Sequence, residues 1–372
     1  MFDQVREDTL FCMVYAAVAM LSLTACCYLL FRRGNAIAPD VTSSVCLRRW
    51  AAAFLGSMAL SHVWYLPMLF LTSDDDVVQN YLIGGLLDSI TVFPSASGVL
   101  LSMLQDRRRP LWFVVMMVVP LVGIISLCVA TRSNALLPAF YAYLLLLGIG
   151  IVIYMVRAVR QYGRWLRDNY ADLEHKEVWQ TFVIFSIILL VFALYAFSSK
   201  GLAYQYFLQL NCIVLICFLL WRVETLSDLS IHIHAGGEGM PVTEHVEKDV
   251  EDHVLPQTIS SIQILLKRYC EEQQFYLQHD ISASELARQI GTNRAYLSKY
   301  FASQGITYNT YINGLRIQHF INLYREAAAA QQPITIQQLA YQSGFRNYGT
   351  FNTAFKQSMG LTATEWVRTS IP

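Results

Sequence analysis

The chain has 372 residues, 55% of them hydrophobic and only 15% charged, with no net charge at neutral pH. A charged share well below the usual quarter, with a mean hydropathy of +0.38, excludes an ordinary soluble enzyme as the whole answer. The neutrality hides a partition: residues 257–372 carry ten Lys/Arg against six Asp/Glu, whereas residues 222–256 carry two against eight. A basic end suits nucleic acid.

Seven apolar runs come first, at 10–31, 51–71, 81–104, 111–130, 137–156, 181–197 and 202–221. A helix of about 20 residues crosses a hydrocarbon core of ~30 Å, so each run is long enough to span. Trp50, Trp112, Trp179 and Trp221 sit at run ends, where an interfacial aromatic belt would lie. Twelve basic residues fall in one set of loops: Arg32, Arg33, Arg48, Arg49, Arg107, Arg108, Arg109, Arg157, Arg160, Arg164, Arg167 and Lys176. The other side has three, Arg6, Arg132 and Lys200, with the acidic run Asp74-Asp75-Asp76. Positive loops face the cytoplasm, so the expectation is an outer N-terminus and an inner C-terminus. Leu23-Thr24-Ala25-Cys26 resembles a lipoprotein cleavage box, but the residues before it are net acidic, which is wrong for a signal peptide.

Inside the spans, His62, Asp88 and Asn211 stand near mid-bilayer. An intramembrane carboxylate needs a partner, a proton or a wet cavity. These three residues therefore form a candidate sensing pocket, with Pro67 and Pro94 able to open the helices. A buried polar contact that only fixes helix packing is the alternative. The seventh run contains no lysine, which rules out a retinal Schiff base.

After the last run, Val223, Leu226, Leu229 and Ile233 form a weak apolar stripe suited to pairing two chains. Residues 235–256 are Gly-rich, then acidic, and read as a flexible tether. The expected domains are thus 1–222, 223–256 and 257–372. His232, His234, His245 and His253 read as solvated linker histidines and not as metal ligands. Six of the eight cysteines, Cys12, Cys26, Cys27, Cys128, Cys212 and Cys217, lie in apolar runs and none is spaced C-x-x-C, so they read as small hydrophobes. No metal and no cofactor is expected.

A helix is predicted over 257–273. From Ile281 one pattern is then written twice. Copy one is Ile281-Ser282-Ala283-Ser284-Glu285-Leu286-Ala287, then Gly291, Asn293, Leu297, Phe301 and Gly305. Copy two is Ile334-Thr335-Ile336-Gln337-Gln338-Leu339-Ala340, then Gly344, Asn347, Phe351, Phe355 and Gly360. Ser282 with Glu285, and Thr335 with Gln338, are capping boxes. Gly291 and Gly344 suit a left-handed turn, and Asn293 and Asn347 suit N-caps of the next helix. Leu297 with Phe301, and Phe351 with Phe355, bury one face of that helix. A capped helix, a glycine turn and a second helix with a polar outer face make a major-groove reader. Residues 308–330 read as one long helix joining the two readers.

These residues resemble the AraC/XylS family of bacterial transcription regulators. The resemblance lies in Ala295-Tyr296-Leu297-Ser298-Lys299-Tyr300-Phe301, Gly305, Tyr311-Ile312 and Arg316, then Ile336-Gln337-Gln338-Leu339-Ala340, Gly344-Phe345, Phe351, Phe355-Lys356 and Gly360-Leu361-Thr362. It covers about 257–370. Ala363 replaces the family's usual proline, Trp366 its frequent tyrosine and Phe320 its frequent alanine, and Gly349 lies inside the second recognition helix. The resemblance implies DNA contacts from Asn293, Arg294, Ala295, Ser298 and Lys299 in copy one. In copy two it implies Asn347, Tyr348, Gly349, Asn352, Thr353 and Lys356. Each such position either reads DNA or is a solvated helix face.

The expected fold is all-α, a seven-helix transmembrane bundle followed by a soluble double helix-turn-helix domain. The expected function is a membrane-anchored one-component transcription regulator of the bacterial cytoplasmic membrane, and not an enzyme. Its partners would be double-stranded promoter DNA, the lipid bilayer, RNA polymerase, a second copy of the chain as a homodimer, and an unknown signal ligand. The competing class is a transporter or membrane enzyme with a regulatory DNA-binding tail. The absence of a nucleotide loop, paired carboxylates or zinc spacing tells against it.

Overall fold

The structure, a computed structural model, describes residues 7–32, 34–39, 41–71, 73–107, 109, 112–133, 135–198, 201–229, 256–331 and 335–370. Ile233, Ile334 and the four linker histidines lie outside them. Among the described residues there is no strand, only an isolated antiparallel bridge between Tyr170 and Ser282. The chain divides into two compact units. One is Met1–Tyr162 with Glu177–Ser230; the other is Gly163–Lys176 with Ile231–Pro372.

The first unit holds α1 (Thr9–Phe31), α2 (Val45–Tyr65), α3 (Asp74–Ser102), α4 (Trp112–Thr131), most of α5 (Leu137–Asn169), α6 (Trp179–Ser198) and α7 (Leu202–Thr225). Asp8 caps α1 by accepting the Phe11 N–H at 3.0 Å. Helices α1 to α4 pack each against the next, and α7 returns against α1 and α2. Among the described residues, five helices are long and apolar enough to cross a membrane: α1, α3, α4, α5 and α7. The expected count of seven is therefore not exact. Helix α2 opens on Arg48 and Arg49 and carries Ser57, Ser61 and His62, which dilute its apolar character. Helix α6 counts only as a shorter apolar helix, over Trp179–Ile188. Helix α5 outruns its expected end at 156 and continues to Asn169.

The expectation of a chain-pairing stripe after the seventh run is also corrected. Helix α7 stops at Thr225, and Leu226 is extended. Val223, Leu226 and Leu229 are buried inside their own unit. Glu224, the residue between them, is buried too. Its carboxylate accepts from Tyr28 Oη and from the N–H groups of Ala36 and Ile37, at 3.0 and 2.8 Å for the latter two. The loop after α1 thus covers the end of α7 and leaves no free apolar face there.

In the second unit, α8 (Pro256–Leu265) widens into a π-helical turn at Leu266–Glu271. Then come α9 (Ala283–Gln289), α10 (Arg294–Ser303), α11 (Tyr308–Ala329), α12 (Ile336–Gln342), α13 (Tyr348–Met359) and α14 (Ala363–Ser370). Two hydrophobic clusters form. Ile262, Leu266, Leu286, Leu297, Phe301, Tyr308 and Ile312 belong to one; Phe320, Leu339, Phe345, Phe351 and Phe355 belong to the other. Helix α11 contributes to both, so its 22 residues, about 33 Å at 1.5 Å per residue, hold the two readers on one rod. Phe320 earns its place over the family's alanine: its ring meets Phe351 at 4.6 Å and Phe355 at 5.6 Å. Trp366 likewise packs on Tyr324 and Phe355.

Candidate nucleic-acid interface

Each reader is set by its local sequence. Ser282 Oγ accepts the Glu285 N–H at 3.2 Å and the Glu285 carboxylate accepts the Ser282 N–H at 2.8 Å. Thr335 and Gln338 repeat the reciprocal pair in copy two. Gly291 and Gly344 both have positive φ, +73° and +91°. At Gly344 a Cβ would also lie 2.9 Å from the Leu277 backbone, so only glycine closes that turn. Asn293 Oδ1 accepts the Tyr296 N–H at 2.9 Å, and Asn347 Oδ1 accepts the Thr350 N–H at 2.7 Å. Those caps start the two recognition helices, α10 and α13.

On α10, Leu297, Tyr300 and Phe301 are buried while Arg294, Ala295 and Ser298 are exposed and Lys299 is half-buried, with the cap Asn293 exposed. On α13, Phe351, Ala354 and Phe355 are buried while Gly349, Thr353 and Lys356 are exposed and Tyr348 and Asn352 are half-buried. Tyr348 leans on the core, its ring 5.8 Å from Phe351. The candidate DNA-contacting residues of each copy therefore share one outer face of their helix. Asn347 is half-buried at the start of α13.

Arg316 fastens the two readers together. It is 1% exposed. Its Nε donates to Tyr276 O at 2.8 Å, its Nη2 to Gln278 O at 2.7 Å, and its guanidinium lies over the Phe345 ring at 5.6 Å. His279 Nδ1 is 3.0 Å from Gly344 O across the same seam.

The sequence reading missed the segment Gly163–Lys176, taken there only as a positive loop. It packs into the second unit. Ala171 is fully buried in the first hydrophobic cluster. Its N–H donates to Ile281 O at 3.3 Å, and its carbonyl accepts from Asn309 Nδ2 at 2.6 Å. The buried Lys176 ammonium pairs with Asp280 at 3.1 Å, and Arg346 reaches the other oxygen of Asp280 at 2.6 Å. Burial would raise the Asp280 carboxyl, but Lys176 and Arg346 outweigh it and hold it below the usual carboxylate value. Glu174 accepts a hydrogen bond from Asn347 Nδ2, at the N-terminus of the second recognition helix. Asp168 lies close enough to Arg294 to feel its charge. Two acidic groups of one segment thus stand at the two recognition helices. A fourteen-residue stretch, half of it the end of α5, gave no local signal of this.

In the first unit, His62 and Asp88 line one cavity of about 290 Å³. Asn211 does not line it. Gln209 does, and its side-chain amide lies 3.0 Å from His62 Nε2. Among the described residues no group of three or more His, Cys, Asp or Glu could hold a metal ion.

Residues 286–369 match the family model described as a helix-turn-helix domain. A stretch of the chain is similar to the TCP pilus virulence regulatory protein of Vibrio cholerae serotype O1, in strain ATCC 39541 (Classical Ogawa 395 / O395) and in strain ATCC 39315 (El Tor Inaba N16961). Each is 32% identical over 84 residues, which is 23% of this chain and 29% of the relative. The chain thus matches less than a third of those relatives' length. No solved structure matches it. The C-terminal part of the chain is a DNA-binding helix-turn-helix domain of the AraC type, the class found in transcription regulators.

Proposed function

We propose that this protein is a membrane-anchored one-component transcription regulator. Its C-terminal domain binds promoter DNA sequence-specifically, and its helical first unit lies in the bacterial cytoplasmic membrane and responds to a signal. One observation carries this reading: a single chain joins two capped, glycine-turned readers on one rod to five helices of membrane-crossing length and apolarity. The positive loops support an outer N-terminus and a cytoplasmic DNA-binding domain. The domains are then a sensory region, 1–222, a linker, 223–256, whose first residues pack on the first unit and whose remainder is an acidic tether, and a DNA-binding region, 257–372. The segment Gly163–Lys176 is the route by which a change among the spans reaches the readers. RNA polymerase and a second copy of the chain are the expected protein partners, and His62, Asp88 and the cavity between them form the sensing pocket. The relatives' name, a virulence regulatory protein, fits regulation as the task.

Genome-wide mapping of sites bound by the full-length protein in intact cells tests the function. The expected sites contain two short conserved elements about one helical turn apart, as two readers on one face of the duplex require. Bound sites with no shared sequence would overturn sequence-specific regulation. Reporter fusions after Asp76 and after Arg108 should report outside and inside respectively. The same side for both would overturn the topology.

A further inference from the structure

The cavity in the first unit has a one-sided chemistry. Its walls include Phe11, Tyr15, Tyr65, Tyr81 and Tyr204 and one carboxylate, Asp88, with no lysine or arginine. Asp88 Oδ1 accepts from Trp64 Nε1 and Oδ2 from Tyr65 Oη, each at 3.1 Å. Those donors hold the carboxylate in place but do not cancel its charge. The rings add the negative faces of their quadrupoles. The seat of Tyr65 is built: a Cβ at Gly84 would lie 2.3 Å from its ring, so a glycine there gives the ring its room.

His62 is the one other titratable group of the walls that is neither Asp88 nor a phenol. Its Nδ1 is 2.8 Å from Met58 O, a carbonyl that only accepts, so Nδ1 carries a proton. With that proton on Nδ1 the neutral ring can only accept at Nε2, so Gln209 turns its NH₂ toward the ring across the 3.0 Å contact. The imidazole is thus committed to its own helix and to Gln209. Gln209 supplies the second, independent observation. It is fully buried, it lines the cavity, and one of its two amide atoms has no hydrogen-bond partner; with the NH₂ on His62, that atom is the oxygen. A buried amide oxygen left unpaired costs free energy, and a hydroxyl or N–H on an occupant would satisfy it.

We infer that this cavity binds a small organic ammonium ion that also carries a hydroxyl or N–H donor. The cationic nitrogen sits among the tyrosines against Asp88, and the donor faces the Gln209 amide oxygen. A volume of about 290 Å³ is at the small end of ligand sites, which suits a compact amine and not an extended lipid. The assignment rests on the sensory role proposed for the first unit and names its ligand class.

The test uses full-length protein in lipid nanodiscs, with Trp64 fluorescence as the local reporter and a Trp64→Phe protein as its control. The probes are choline, ethanolamine and 3,3-dimethyl-1-butanol, the last being the neutral carbon isostere of choline. Saturable binding of at least one cation, at least tenfold tighter than the isostere, is expected. The preferred cation distinguishes a quaternary from a primary amine site. Asp88→Asn should remove most of that preference. The Asp88→Asn protein should keep the parent's circular dichroism and thermal unfolding in nanodiscs, which excludes misfolding as the cause of the loss. Equal binding of cation and isostere, no saturable binding, or a preference that survives Asp88→Asn overturns the inference. If cation binding fails while genome-wide mapping still finds specific sites, the regulator reading stands and only the ligand class falls.

Discussion

The side-chain amide of Asn347 donates to the carboxylate of Glu174 at the point where the second recognition helix begins. A helix N-terminus on a DNA reader is where a backbone phosphate would be held, by its unpaired N–H groups and the positive end of the dipole. Glu174 puts a protein anion there instead. The same segment brings Asp168 near Arg294 on the first recognition helix. If the two helices read DNA as proposed, the docked segment and DNA would compete for the same helix starts. Glu174→Gln removes one of the competing charges and should raise promoter occupancy several-fold, read by mapping bound sites in intact cells at equal protein level. Unchanged occupancy would mean that the segment only packs against the domain and does not restrain it.

The docking itself depends on Asp280, which joins Lys176 to Arg346. Lys176 is buried, so Asp280→Asn removes the charge that its ammonium pairs with at 3.1 Å. Removing one partner of a fully buried pair costs about 3–5 kcal/mol, and the partial exposure of the Asp280 side chain makes the loss smaller here. Hydrogen exchange on the full-length protein should show weaker protection at Tyr170 and Ala171 in the variant. The pH dependence has a definite sign. The folded carboxyl lies below its ordinary value of about 3.9. Its contribution is therefore present in full above about pH 4 and fades as pH falls through the lower folded value. Docking should be insensitive to pH between about 5 and 8 on account of this group. Protection that changed across that range in step with Asp280→Asn would sink the assignment.

Two glycines in the second reader should respond in opposite directions to alanine. Gly344 has a left-handed backbone and backbone atoms of Leu277 at 2.9 Å from a built Cβ. Gly344→Ala should destabilise the domain by about 2–3 kcal/mol. Gly349 lies inside α13 with only the cap oxygen of Asn347 nearby, at an ordinary 3.4 Å. Gly349→Ala should stabilise by about 1 kcal/mol. Thermal unfolding followed by circular dichroism checks both. A Gly344→Ala protein as stable as the parent would refute the turn argument.

What the sequence makes legible here is local. Both capping boxes, both glycine turns and both asparagine caps involve residues three to five apart, so spacing alone exposes them. Helix α11 is equally visible, because its apolar positions serve two clusters in series. What stays hidden depends on contacts between distant residues. Ala171 reaches Ile281 and Asn309 from more than a hundred positions away. Depth in the membrane was read for Asn211, but helical phase decides which side chains meet. Gln209 is two residues earlier, which turns it about 200° around the helix, and it is Gln209 that meets His62. The stripe of Val223, Leu226 and Leu229 is apolar as expected, yet it is covered by its own unit, and nothing in the pattern says what covers it.

Arg294 and Asn352 stand on the outer faces of the two recognition helices and differ in what they can read. A guanidinium offers the paired donors that match guanine O6 and N7, and an amide offers the donor and acceptor that match adenine N6 and N7. Lys356 is exposed near the C-terminal end of α13, and a flexible point charge there suits phosphate, which carries no sequence. Arg294→Ala should therefore cost ~1–3 kcal/mol against the preferred site and relax one position in the upstream element. Asn352→Ala should do the same at one position of the other element. Lys356→Ala should weaken binding to all sequences alike and lower the salt dependence by about one counterion. The measurement is selection of bound sequences from a random library by the full-length protein in nanodiscs, with affinities at two salt concentrations. If both single variants keep the parent's sequence preference, Arg294 and Asn352 are solvated helix faces, and the base-reading residues lie elsewhere on α10 and α13.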